Sequence, residues 1–577
     1  MYDLIVRDAR VVDGTGAPVF SADVAVAAGR VAEIGRVDSR GATEVDAAGR
    51  VLAPGIVDVH THYDAQITWD SGASPSPSLG VTTVVMGNCG FTIAPAPPQL
   101  RSLIARNLSV VEGMSLKALE HGIDWSFESI PEYLAMLRAK GFVPNVAAFA
   151  GHSTIRTAVM GEAASQRAAT DEELDAMHRL LIEALRAGVI GLASTQSHSH
   201  FGDGGAPMPS RLADEREFRR LIGALGEAGH GIFMITGGPQ TSGDFLEEMA
   251  MHTKRPIVWA AALHSSADPK RGYGVIQRCA EATGRGHPVY AQVSCQPLTM
   301  EFTLLNAYPL GGYELWADLR GGDPETVRST ISRADFRRAL RSAFAEQQRG
   351  KLFYGTWQRV WIAGVATERN RAIEGFTIAD AAKSRNADPL DFFFDLALEE
   401  DLQTVFSAHM LNYDDDAVEA FLEHDVAVIG LSDAGAHLTF LCDAGFGLHF
   451  LGHWVRERQS FALEDAVRRI TSWPAEIYGI RDRGRIAVGA HADLFLFDPD
   501  TVGISRPRRV YDLPGGESRL IRDGQGVAGV WVNGVRVVED NAPLANAGRP
   551  GMLLDDYRAP AVSTTASVAS TPTSRSP

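Results

Sequence analysis

The chain has 577 residues, with 54 Lys or Arg against 71 Asp or Glu, a formal net charge of −17, and 45% hydrophobic and 22% charged residues. That apolar content excludes a largely disordered chain, and the acidic balance supplies no clustered cations to drive binding to nucleic acid or an anionic membrane. Four scattered cysteines (Cys89, Cys279, Cys295, Cys442) make no C-x-x-C pair, which excludes a disulfide scaffold; with no secretory signal pattern and no window near the roughly 20 apolar residues of a membrane span, the expected compartment is the cytoplasm.

Residues 1–54 read as short alternating strands punctuated by Gly, and the same pattern returns over 481–550. Because the ends of a domain usually lie close together, one small β-sandwich built from both termini is expected, interrupted by a larger domain over 55–480. In that middle, eight apolar runs alternate with helical stretches, at 55–62, 81–89, 145–152, 188–195, 231–238, 256–264, 288–295 and 426–433. Eight β/α units close a parallel (β/α)8, TIM-like barrel, so the fold class is α/β. Helices are expected over 171–186, with Thr170 as N-cap, and over 213–228. The interval 296–424 is too long for one crossover and is expected to hold extra helices, at 333–346 and 388–400, and an extra strand at 404–408, forming a lid or wall over the site. From about 559 to 577 the composition is that of a disordered Ser/Thr/Pro/Ala tail.

Strand one ends Asp58-Val59-His60-Thr61-His62. Alternate residues of a strand face one side, so His60 and His62 project together from the rim where barrel enzymes place their chemistry. Two converging imidazoles suit a divalent metal such as zinc, although an H-x-H pair also occurs in polar surface loops. Other strands add to it. Strand two ends Gly87-Asn88-Cys89-Gly90, strand six ends in His264, and strand eight ends Ser432-Asp433. Each of these alone reads as an ordinary core thiol, surface imidazole or turn carboxylate; four of eight strand ends carrying metal-competent groups is a pattern that packing does not require.

These motifs, Pro54-Gly55-Ile56-Val57-Asp58-Val59-His60-Thr61-His62, Gly87-Asn88-Cys89-Gly90, Gly151-His152-Ser153-Thr154-Ile155-Arg156 and Ser432-Asp433, resemble the amidohydrolase superfamily and, within it, the D-aminoacylase and N-acyl-D-amino-acid deacylase branch. The likeness covers roughly residues 1–550. It implies that His60, His62, Cys89, His264 and Asp433 are metal ligands, that Asp433 is also the general base, and that the cofactor is Zn2+. The implied reaction is hydrolysis of an amide by water activated at the metal, giving an amine and a carboxylic acid.

The chain departs from that branch at informative positions. Where the deacylases end strand five with a histidine, this sequence has Thr236, so one metal is expected rather than two. Strand four carries no lysine, so no carbamylated bridge is expected. Ser266 and Gly238 replace a lysine and an arginine of the branch, weakening the case for a free N-acyl-D-amino acid. The expected partner is a small-molecule amide, with further copies of the chain left open. His152, His198, His200, Thr236, His409 and His437 are second-tier candidates for substrate contact, and Trp357 and Trp361 for an apolar wall. Ring-opening of a cyclic amide, or a barrel that binds without turnover, are the alternative readings.

Overall fold

The computed structural model describes residues 1–320, 322–346 and 351–557; the tail expected over 559–577 lies outside the described residues. The eight expected runs form eight parallel strands: β1 (Ile56–Thr61), β2 (Val81–Met86), β3 (Asn145–Gly151), β4 (Gly191–Thr195), β5 (Ile232–Thr236), β6 (Ile257–Ala262), β7 (Val289–Val293) and β8 (Ala427–Ile429). They lie side by side in chain order in one sheet. The sheet curls until its ends meet: Thr61 bridges Ala434 just beyond β8, His62 N donates to Ala434 O at 2.7 Å, and Ser432 Oγ donates to His60 O at 3.0 Å. Every residue of β1 to β4 is buried, as expected for parallel strands covered on both faces.

The helices between strands start where the sequence places caps. Thr170 caps Asp171–Ala187 in a reciprocal capping box with Glu173, satisfying two otherwise orphaned N–H groups. The helix expected from 213 begins two residues later, as Glu215–Ala228, because Asp214 caps it. Among the described residues no helix is long and apolar enough to cross a membrane.

Both termini build one nine-stranded sheet. Val51–Pro54 from the N-terminal segment pairs antiparallel with Leu494–Phe497, which brings the strands before the barrel beside those after it. The chain then returns to the barrel, where Val146 of β3 donates to Met552 O at 2.9 Å.

Between β7 and β8 the chain forms a unit with its own core. Its antiparallel sheet has Val405–Leu411 between Leu298–Phe302 and Val360–Gly364, and helices Ala334–Ala345 and Pro389–Glu399 lie near the expected positions. Trp316, Phe336, Phe393, Phe394 and Phe406 fill its interior. Trp357 packs on Phe353 and Phe393 against this core, and Trp361 packs on His409.

Candidate metal centre

The ends of β1, β2, β5 and β8 converge. One ligand atom each from His60, His62 and Cys89 lies within 4.8 Å of the others. Asp433 Oδ1 stands 3.1 Å from His60 Nε2 and 3.5 Å from His62 Nε2, and Cys89 Sγ is 3.7 Å from His60 Nε2. The Asp433 side chain is 21% exposed against 2% and 4% for the two imidazoles, so the carboxylate is the face that an incoming molecule meets first.

Local backbone geometry builds this cluster. Cys89 has φ 56° and Asp433 φ 46°, left-handed conformations that cost non-glycine residues about 1–3 kcal/mol each and persist where neighbours over-determine them. Asn88 Nδ2 supplies part of that restraint, donating to Val85 O at 2.9 Å and Thr61 O at 3.3 Å. Gly435 supplies more: a Cβ there would sit 2.7 Å from the His62 carbonyl, so only glycine lets the β8 exit pass against β1.

Each imidazole has a polar side chain behind it, hydrogen-bonded in one case and an ionic neighbour in the other. His60 Nδ1 lies 2.6 Å from Gln292 Oε1; a carbonyl oxygen only accepts, so Nδ1 is the donor and Nε2 faces Cys89 and Asp433. His62 Nδ1 lies 3.0 Å from Glu112 Oε1. Burial pushes the His60 imidazole down, but Asp433 and Cys89 outweigh it and raise it to about 10. For His62 burial acts the same way, and the charge of Glu112 with the contact to Asp433 raises it to about 10. Burial pushes Asp433 up, yet His60 and His62 hold it well below the usual carboxylate range. Burial raises the Cys89 thiol and lifts Asp58, beneath His60, to about 7. Surroundings that draw positive charge onto two imidazoles also stabilise a divalent cation. The nitrogen, sulfur and carboxylate donors fit zinc chemistry.

The remaining expected residues divide. Thr236 sits inside the cluster, its Oγ1 3.2 Å from Cys89 Sγ. His264 is not part of the compact donor group. Its backbone N donates to Asn412 Oδ1 at 2.9 Å, its backbone O accepts from Asn412 N, and its Nδ1 is buried without a hydrogen-bond partner. His200 hydrogen-bonds Thr195 Oγ1 through Nδ1 at 2.8 Å, and burial above all pushes it down to about 3. His437 is lowered by burial, packs on Phe440, and leaves Nδ1 unpartnered. His198 is exposed on its loop. His409 packs on Trp361 in the insertion, with burial lowering it to about 4. His152 is saturated: Nδ1 pairs with Ser194 Oγ at 2.8 Å and Nε2 with Glu217 Oε1 at 2.7 Å, so neither nitrogen is left for substrate.

A model of the amidohydrolase family matches residues 43–538. The chain belongs to the amidohydrolase family. It is 31% identical over 531 residues to an uncharacterized protein of Mycobacterium tuberculosis, covering 86% of this chain and 85% of that one. It is 28% identical over 560 residues to an N-acyl-D-glutamate deacylase of Alcaligenes xylosoxydans xylosoxydans, covering 96% of each. Among solved structures it is similar to an N-acyl-D-glutamate deacylase from Bordetella bronchiseptica complexed with zinc and a phosphonate inhibitor, with TM-score 0.63, 26% identity, and coverage of 96% of this chain and 100% of that one.

Proposed function

We propose that this chain is a divalent-metal-dependent hydrolase of linear amides, acting on an N-acyl amino acid or a related N-acyl compound and releasing a carboxylic acid and an amine. The observation that carries this reading is the gathering of His60, His62 and Cys89 within 4.8 Å, with Asp433 against both imidazoles. The deacylase activity of its Alcaligenes and Bordetella relatives supports the reaction class.

His60, His62 and Cys89, with Asp433 alongside, would hold one Zn2+ ion, which would supply Lewis acidity toward the amide carbonyl. Thr236 in place of an imidazole leaves β5 without a nitrogen donor, which favours one ion over two. The chain's own residues manage the protons. Asp433 is partly exposed and set against both imidazoles, so it is the group placed to accept a proton from the attacking water and return it to the leaving nitrogen. His200 and His437, both lowered by burial, stay neutral and are assigned to hydrogen-bonding the substrate. His264 lies outside the compact donor group and is assigned to the substrate side as well. All four cysteines are free, which supports a reducing, cytoplasmic setting.

The test is metal content per chain after purification without added metal, joined to a hydrolysis screen of N-acyl-D- and N-acyl-L-amino acids, neutral amides and cyclic imides. Bound zinc with turnover of a linear amide is the expected result. Turnover confined to cyclic imides would replace the linear substrate, and absence of both metal and turnover would overturn the proposal.

A further inference from the structure

Glu112 is a buried acid that the reaction proposed above does not use. It follows the last residue of helix Arg101–Val111, its N–H donating to Leu108 O, and a negative charge at a helix C-terminus opposes the helix dipole. Its side chain is 3% exposed, and burying a carboxylate without a matched cation costs several kcal/mol. Among the described residues no Lys or Arg pairs with it; its contact is ionic, Oε1 lying 3.0 Å from His62 Nδ1, and neither of these two atoms makes a hydrogen bond.

The main chain around it is nonetheless tightly placed. His437 N donates to Glu112 O, and Thr439 Oγ1 donates to Gly113 O at 3.0 Å. The end of this helix is therefore clamped by the loop that leaves Asp433. A buried acid set in such a clamp, with its carboxylate turned to a single imidazole, is a costly arrangement unless that imidazole carries positive charge or a cation on its other nitrogen.

We infer that Glu112 is a positioning residue for the metal centre, acting through its ionic contact at His62 Nδ1 to keep Nε2 turned toward Asp433. The inference rests on the metal-dependent reading above. It also separates the two imidazoles: His60 Nδ1 faces the side-chain amide oxygen of Gln292, whereas His62 Nδ1 faces the carboxyl group of Glu112.

The experiment is competition of the apo-protein with a chromophoric chelator for Zn2+, in wild type, Glu112→Gln, His62→Ala and the double variant. Visible spectra of the Co2+-loaded proteins and near-UV circular dichroism accompany it. Loss of a carboxylate behind a ligating histidine typically weakens metal binding about 10–100-fold, and Glu112→Gln is expected in that range, with a shifted Co2+ spectrum and unchanged near-UV signal. In the His62→Ala background Glu112→Gln should add less than twofold. Wild type that binds zinc while Glu112→Gln binds it equally, or losses that simply multiply in the double variant, would overturn this inference and leave the metal-dependent reading intact. Wild type that binds no zinc would overturn that reading and this inference with it. Should Glu112→Gln not accumulate folded, Glu112→Asp, which keeps the charge on a shorter arm, is expected to retain more affinity than Glu112→Ala; equal values for the two overturn the positioning role.

Discussion

The barrel holds two buried carboxylate–imidazole arrangements that differ in what they leave open. At β3 and β4, His152 is bonded at both nitrogens, to Ser194 and Glu217, and Glu217 is in turn paired with Arg156; the imidazole, the glutamate and the arginine are all fully buried. Charge is matched within that triad. At β1 and β8, His62 has Glu112 behind it and Asp433 before it, with His60 facing the same Asp433. Here carboxylates outnumber fixed cations, and the surplus is what makes room for a metal. A histidine beside a carboxylate is therefore a weak sign of chemistry; an imidazole held between carboxylates with no guanidinium to neutralise them is a stronger one.

Two substitutions separate the arrangements. Asp433→Asn should cost turnover the most, about 10²–10⁴-fold in kcat for loss of a general base, while much of the metal remains bound; unchanged kcat would take Asp433 out of the reaction. Glu217→Gln should leave metal content and kcat near wild type but destabilise the fold by about 3–5 kcal/mol, because Arg156 is left buried and uncompensated. A drop in thermal midpoint with metal retained is the expected measurement. Metal loss with the midpoint unchanged would mean that the β3–β4 triad belongs to the functional site after all.

How much of this was legible in the sequence follows from where each interaction originates. His60, His62, Cys89 and Asp433 are recognisable because each closes an apolar run, and strand periodicity with barrel closure says that such positions share a rim. Glu112 and Gln292 belong to no motif. Glu112 ends a helix and Gln292 sits within an apolar strand, and their partners are spatial neighbours only. The polar Gln292 inside the run Pro288-Val289-Tyr290-Ala291-Gln292-Val293 is the one local signal available in retrospect. The insertion's helices and central strand are visible as periodic stretches, but Leu298–Phe302 and Val360–Gly364 are short strands whose identity comes from pairing with Val405–Leu411.

Thr236 sharpens the comparison from the other side, since it keeps the donor count at the metal centre low. Its hydroxyl already reaches Cys89, so Thr236→His places an imidazole where the thiol can share a cation with it. Zinc titration is expected to reveal additional uptake per chain, with little change in stability at this half-buried position. No extra uptake would show that β5 is out of reach of Cys89 as a ligand pair.

A third carboxylate–imidazole pair, at the protein surface, gives the smallest effect and the pH signature that the buried ones conceal. Glu247 joins His287 Nδ1 at 2.7 Å and Arg285 through two hydrogen bonds, at 2.7 and 2.6 Å. The hydrogen bond from Arg285 leads in holding its carboxyl down, from 4.5 to about 2, against the opposing effect of burial. A depressed carboxylate contributes stability that is fully present above its unfolded value and is lost as pH falls toward the folded one. Arg285 is about half exposed, so solvent screening limits the pair to no more than about 1 kcal/mol. Glu247→Gln should therefore lower the thermal midpoint slightly at pH 7, and the gap to wild type should narrow steadily below pH 4.5. A gap that stays constant from pH 5 to pH 3 would mean that the glutamate acts through shape rather than charge, and the contrast between matched and surplus carboxylates would lose its surface reference.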